Sequence, residues 1–203
     1  MASFTLACKN NNKLHAPGRR TPWLAACALS LLSLVSTAAR ADAFTIEHAY
    51  TSLENHVYHL SASIDYSFTH DALEALDNGV PLTLQLDIEV LRPRWWWWDK
   101  DVASLEQRYQ LQYHALTKKY IVINLNSGAQ HSYTTLPSAL SALGNIENLP
   151  ILDDNLLAPG KSYRARMRVR LDIEALPAPL RPLAYISSQW RLDSEWYTWS
   201  LQH

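Results

Sequence analysis

Apolar and polar residues alternate one by one along much of this chain, which is the pattern of β-strands with one buried face. From residue 82 to residue 90, for example, every second position is leucine, isoleucine or valine. The stretches predicted as strands are Phe44 to Tyr50, Tyr58 to Phe68, Leu82 to Val90, Leu105 to Ala115, Tyr120 to Leu125, Ala129 to Tyr133, Tyr163 to Ile173 and Trp190 to Leu201. One-faced strands are typical of antiparallel sheets, so the sequence predicts a mainly β protein.

Two short helices interrupt the predicted strands. Thr69 and Thr135 stand at N-cap positions ahead of residues 70–78 and 136–143, and Gly79 and Gly144 mark the predicted ends. Helices of about two turns cannot cover both faces of a parallel sheet. We therefore expect an antiparallel β-sandwich of about seven or eight strands with two short helices. An immunoglobulin-like arrangement is the first expectation, and a closed β-barrel is the alternative.

The first 41 residues have a different character from the rest. They contain five basic residues and no acidic residue, and an apolar run occupies residues 23–39. This run is followed by Ala41 in a small-x-small site of the kind that signal peptidase cleaves. We expect residues 1–41 to be a cleaved signal peptide, residues 42–203 to form a single β-rich domain, and the periplasm to be the location. The alternative is a retained inner-membrane anchor, although 17 residues span only ~25 Å of a ~30 Å hydrocarbon core.

Removal of the leader leaves an acidic domain. Residues 42–203 carry 13 basic and 19 acidic side chains, a net charge of −6, so we expect no general attraction to nucleic acid or to anionic lipid. Cys8 and Cys27 both lie in the leader, so the domain has no thiol. The five glycines never form a phosphate-binding loop, and no spacing of histidines and cysteines fits a metal site, so no cofactor or metal is predicted.

Four consecutive tryptophans are the most unusual motif. Trp95, Trp96, Trp97 and Trp98 follow Arg92 and Arg94 and precede Lys100. On a strand, alternate tryptophans face opposite sides, so at most two of them enter one core. The other two either pack beneath another segment, such as the proline-rich residues 176–182, or are exposed. Exposed indoles would serve as a platform for sugar rings or peptide, or as a peripheral membrane contact, which the net charge of −6 disfavours.

Four arginines form a second candidate surface. Arg164, Arg166, Arg168 and Arg170 alternate with apolar residues, which places their guanidinium groups on one side of a strand at ~6.6 Å intervals. One interpretation is a solvated face paired across the sheet with acidic residues such as Asp87 and Glu89, or Asp65. The other is a docking surface for an anionic ligand or an acidic partner.

Four strings resemble the exported proteobacterial family numbered 4390 among the domains of unknown function: ALDNGVPLTLQLDIEVLRPRWWWWD (75–99), RYQLQYHALTKKYIV (108–122), YRARMRVRLDIEALPAPLRPLAY (163–185) and WRLDSEWYTWSL (190–201). The resemblance covers nearly all of the domain. Members are often encoded beside a membrane sensor kinase and an rRNA methyltransferase. The resemblance therefore implies an envelope accessory to signalling, and it brings no activity or catalytic residue with it.

No catalytic motif such as Gly-x-Ser-x-Gly or His-Glu-x-x-His occurs in the chain. The predicted function is therefore a non-catalytic periplasmic binding or interaction module whose partner is an envelope protein, with a sensor kinase as the candidate. The alternatives are an envelope glycan-binding module with a tryptophan platform, and an enzyme with a dispersed site. The candidate binding residues are Arg92, Arg94, Trp95, Trp96, Trp97, Trp98, Arg164, Arg166, Arg168 and Arg170.

Overall fold

A computed structural model describes residues 43–95 and 98–201 of the chain, so the predicted signal peptide, Trp96 and Trp97 lie outside the described residues. The strands are β1 (Phe44–Glu54), β2 (Val57–Tyr66), β3 (Leu82–Arg92), β4 (Lys100–His114), β5 (Lys119–Asn124), β6 (Gln130–Tyr133), β7 (Asn145–Asp153), β8 (Arg164–Leu171) and β9 (Tyr197–Ser200). The α-helices are α1 (His70–Asp77), α2 (Leu136–Gly144) and α3 (Arg181–Ile186). Short 3₁₀ turns occupy Asp154–Leu156, Ile173–Ala175 and Ser188–Trp190.

The strands form two antiparallel sheets, as predicted for a β-sandwich. The smaller sheet has the order β1-β2-β7 and the larger has the order β6-β5-β4-β3-β8-β9. In variable-type immunoglobulin domains, one sheet contains strands A, B, E and D and the other contains C″, C′, C, F and G. The orders β1-β2-β7 and β5-β4-β3-β8-β9 follow this scheme. The difference is β6, which stays beside β5 in the larger sheet. Neither sheet closes into a barrel within the described part of the chain.

The core lies between the two sheets. The alternating positions of β3 from Leu82 to Val90 are at most 2% exposed, and they pack with the inward residues of β1, β2 and β8. Each such side chain contributes roughly 1.5–3 kcal/mol on leaving water. Segment 172–192 closes the end of the core at which β3 begins, because Leu176, Ala184, Trp190 and Leu192 are buried there.

Strand β7 was not predicted, and its sequence explains why. Asn148 adopts a left-handed conformation with φ of 51°, and Pro150 lies within the strand. The pairing with β2 shifts register where Leu60 and Ala62 face Leu149 and Ile146. A bulge and a proline are features of edge strands and hide the two-residue period. The described structure therefore has nine strands where about seven or eight were predicted.

The last predicted strand is shorter than expected. Only Tyr197–Ser200 forms β9, and residues 188–190 form a 3₁₀ turn. The side chain of Ser194 accepts the hydrogen bond of the Val169 amide at 3.0 Å, so a hydroxyl replaces the backbone carbonyl in the ladder. This substitution interrupts the strand before Tyr197.

Both predicted helices form, but two of their expected ends differ. The Thr135 hydroxyl accepts a hydrogen bond from the Ser138 amide, as an N-cap does, whereas the Thr69 hydroxyl donates to the Gln189 carbonyl oxygen instead. Gly79 follows α1 with a positive φ of 82°, as predicted. Gly144 is the last residue of α2 and not a left-handed cap. The third helix, α3, was not predicted because prolines surround it.

The buried hydroxyl of Tyr66, which lies in an aromatic cluster at the start of β1, predicts that the domain loses stability at alkaline pH. Burial, and secondly the neighbouring Tyr109, raise the pKa of the Tyr66 hydroxyl. Because the unfolded chain ionises first, at a pKa of about 10, this stabilisation is complete below that pH and is lost as the pH rises towards the higher folded-state pKa. We expect the free energy of unfolding, from urea titrations, to fall above about pH 10 and to fall less steeply in Tyr66→Phe. Equal slopes in both proteins would contradict this prediction.

Candidate functional site

Trp95 and Trp98 lie in the connection between β3 and β4, and neither of them is on a strand. Strand β3 ends at Arg92 and β4 begins at Lys100, so the predicted alternation of faces does not apply. Trp95 is 84% exposed and Trp98 is 90% exposed. Exposed aromatic side chains that occur together are a feature of interaction sites. The proline-rich residues 176–182 do not cover them, because that segment begins near the opposite end of β3, where the Asp172 amide donates to the Thr83 carbonyl oxygen.

Three cationic residues lie close to these two indoles in the chain. Arg92 stands directly opposite Lys100 across the β3–β4 pair, and the side chains of Arg94 and Lys100 are exposed. We call Arg92, Arg94, Trp95, Trp98 and Lys100 the tryptophan tip. None of its three cations forms an ion pair with a described residue. These three cations outnumber the two neighbouring carboxylates, Asp99 and Asp101, so the tip is locally basic on a domain whose net charge is −6.

Asp99 joins the tip to the arginine row. Its carboxylate accepts a hydrogen bond from the Arg164 guanidinium at 3.2 Å, which links the β3–β4 connection to the start of β8. The structure thus brings the two predicted candidate surfaces together at one end of the larger sheet. The sequence signal for Asp99 is weak, because an acidic residue beside a lysine in a loop is ordinarily solvated.

The other arginines of the row pair across the sheet with β3. Arg166 contacts Glu89 through Nη2 at 2.6 Å and through Nε at 2.7 Å. Arg168 and Arg170 both contact one oxygen of Asp87, at 3.1 and 3.4 Å. These partners are the acidic residues expected for a solvated strand face, and Asp65 is not among them because it pairs within the smaller sheet. The row is therefore largely neutralised by its own sheet.

Trp196 further covers the middle of the row. The Arg166 and Arg168 guanidinium carbons lie 4.4 and 4.5 Å from the centre of its ring, a cation–π geometry for both. Sequence reasoning did not single out Trp196. Its signal was an aromatic residue just ahead of a strand beside a row of arginines. The consequence is that Arg166 and Arg168 are less available to a ligand than Arg164 or Arg170.

The tip lies far from the start of the domain. The Phe44 amide contacts the Asp193 carbonyl oxygen, beside the bond from the Leu171 amide to Leu192, and Leu171 pairs with Leu84. Eight residues of β3 separate Leu84 from Arg92, or about 26 Å at ~3.3 Å per residue. The chain therefore enters the sandwich at one end and presents the tip at the other.

Two other kinds of functional feature are absent from the described residues. They contain no group of three or more histidine, cysteine, aspartate or glutamate side chains arranged to hold a metal ion. No helix in this part of the chain is both long and apolar enough to span a membrane. The candidate site therefore consists of the exposed indoles, the adjoining arginine row and the cations of the tip, which have no ion pair with a described residue.

Comparisons with known proteins give one match. No curated protein and no solved structure matches the sequence. The sequence profile of a family described as "Domain of unknown function (DUF4390)" matches residues 41–200, which include both sheets, the tryptophan tip and the arginine row. This range covers most of the 203-residue chain and agrees with the resemblance of the four strings. The chain belongs to the DUF4390 family.

Proposed function

We propose that this protein is an exported, non-catalytic envelope module that binds a protein partner through the tryptophan tip. The exposure of Trp95 and Trp98 carries the proposal. Tryptophan and arginine are the residues most enriched at the energetic centres of protein interfaces, and the tip presents both. The candidate partner is the extracytoplasmic part of a membrane protein, with the sensor kinase implied by the family as the first candidate.

The charge of the tip indicates the kind of partner surface. Arg92, Arg94 and Lys100 have no ion-pair partner among the described residues, and Asp99 is already engaged by Arg164. An acidic surface with an apolar recess would accept both the cations and the indoles. Such complementarity favours rapid association and selects against basic partners.

A lipid surface fits less well than a protein. The net charge of −6 repels an anionic leaflet over about a Debye length, ~8 Å at physiological salt. Three cations near the surface contribute ~1 kcal/mol each at most.

The export part of the proposal has a direct test. The basic head, the apolar run and the small-x-small site at Ala41 support cleavage by signal peptidase. Mass spectrometry of the protein purified from the cell envelope should find Asp42 at the amino terminus. Recovery of the full-length chain from the cytosol would overturn export.

The binding part is tested by partner capture. Affinity-tagged wild type and Trp95→Ala/Trp98→Ala should be recovered from detergent-solubilised envelope, and the co-purifying proteins compared. We expect one membrane protein to be retained by wild type and lost from the double variant. Equal recovery of the co-purifying proteins by both would show that the tip does not bind the partner. Retention of glycan fragments and no protein would favour the glycan-binding alternative.

A further inference from the structure

An open cavity of about 610 Å³ lies at the far end of the arginine row from the tryptophan tip. Its wall is formed by residues 172–175, 185 and 190–193 of the segment that closes the end of the core. Its floor is a line of residues across the sheet, in which Arg170 stands opposite Gln85 and Gln85 stands opposite Arg108. Gln85 is only 5% exposed, although it lies on the outer face. The volume is within the range of roughly 300–1,000 Å³ that is typical of small-ligand sites.

The cavity has guanidinium groups that the protein does not neutralise. Arg168 and Arg170 share a single oxygen of Asp87, so one carboxylate serves two cations. The other Asp87 oxygen accepts the Gln85 amide hydrogen bond at 2.7 Å. Arg191 also borders the cavity and has no ion pair with any described residue. A guanidinium group that the protein does not neutralise can form a bidentate pair with the carboxylate of a ligand.

The same cavity has an unpaired carboxylate. Asp193 stands directly opposite Arg170 in an isolated bridge, yet Arg170 turns to Asp87. The Asp193 side chain has no ion-pair or hydrogen-bond partner in the described residues. By contrast, Asp172 accepts the Glu174 amide, and Glu174 accepts the Tyr185 hydroxyl. Asp193 is therefore the carboxylate available to a ligand cation.

An aromatic wall completes the cavity. Trp190 borders it and is 3% exposed, and its indole nitrogen is buried with no hydrogen-bond partner among the described residues. Because this nitrogen has no solvent-accessible surface, the part of Trp190 that borders the open cavity is apolar. Tyr185 borders the same space.

We infer that this cavity binds a short peptide with free termini, whose carboxylate contacts Arg170 and Arg191 and whose ammonium contacts Asp193. A zwitterion can contact the guanidinium and the carboxylate at once, whereas a ligand with one charge gains only one of these two contacts. The volume suits several residues better than a single amino acid. The site does not involve Trp95 or Trp98, so it goes beyond the proposed function and its failure would leave that proposal standing.

Calorimetric titration with trialanine tests the ligand chemistry. We expect binding of trialanine with free termini, and affinity at least tenfold weaker for N-acetyl-trialanine and for trialanine amide. No detectable binding of trialanine up to about 10 mM, where even millimolar affinity would be measured, would overturn the inference. Equal affinity of either blocked peptide would overturn the zwitterion, and equal affinity of free alanine would overturn the peptide assignment.

Variants locate the site. Arg191→Gln and Asp193→Asn alter exposed side chains, so both should fold, as thermal unfolding will verify. Each variant should lower the affinity for trialanine at least tenfold. Lys161→Gln is the matched control, because it also removes one exposed positive charge but borders neither the cavity nor the tryptophan tip. Loss of binding in the control, or unchanged binding in both cavity variants, would place the ligand elsewhere.

Discussion

Gly144→Ala should destabilise the domain by about 3 kcal/mol or more. A β-carbon at residue 144 would lie 2.1 Å from the backbone carbonyl oxygen of Ile64 on β2, far inside van der Waals contact. Alanine in place of glycine within a helix ordinarily stabilises by about 1 kcal/mol, and φ at residue 144 is not positive. The collision opposes this gain and exceeds it, because a backbone oxygen in a paired strand cannot move aside as a flexible side chain can.

Ser141→Ala is the matched control for this prediction, because it places the same residue type on an exposed position of the same helix. Urea unfolding followed by circular dichroism should give a control within about 0.5 kcal/mol of wild type. If Gly144→Ala does not fold, a soluble wild-type-like control still attributes the failure to position 144. Equal stability of both variants would show that α2 does not approach β2 this closely.

The double variant Trp95→Ala/Trp98→Ala should lose partner binding and keep its stability, unlike Gly144→Ala. Both side chains are mostly exposed, so their truncation should change the free energy of unfolding by no more than about 0.5 kcal/mol. Truncation of a tryptophan at an interface centre typically costs about 2 kcal/mol or more, which corresponds to roughly 30-fold in affinity. We expect at least this loss in partner affinity, measured with the captured protein.

Leu116→Ala provides the control for general surface stickiness. Leu116 is 93% exposed, and it lies in the turn between β4 and β5, at the other end of β4 from the tip. Its truncation should leave partner affinity unchanged. If Leu116→Ala lowered partner affinity as much as the tip variant does, exposed apolar surface in general would account for the capture.

The two-residue period predicted most of the fold because it reports burial directly. On β3, leucines, isoleucine and valine face the core from Leu82 to Val90, and the strand forms almost as predicted. The period is lost where the backbone departs from regular pairing. Asn148 and Pro150 conceal β7, and the Ser194 hydroxyl interrupts the ladder before β9. Both irregularities depend on contacts that only the folded chain provides.

The candidate site was only partly predictable. The sequence identified the tryptophans and arginines as unusual, and it offered Asp87 and Glu89 as partners for the row. The exposure of Trp98 depends on where β3 ends and β4 begins, and the cover of Trp196 over Arg166 depends on how segment 191–196 runs antiparallel beside β8. The cavity around Arg170 combines residues that are up to 108 positions apart in the chain, from Gln85 to Asp193. No local pattern reports such a meeting.

Photo-cross-linking in living cells tests directly whether the tryptophan tip contacts a membrane protein. A photoreactive amino acid at position 98 would report what lies against the tip in the envelope, and the same group at position 116 would serve as the control. We expect a cross-link from position 98 to one membrane protein through its extracytoplasmic part, and no such product from position 116. Adducts only with lipid at position 98, no adduct at all, or the same product from both positions would contradict this expectation.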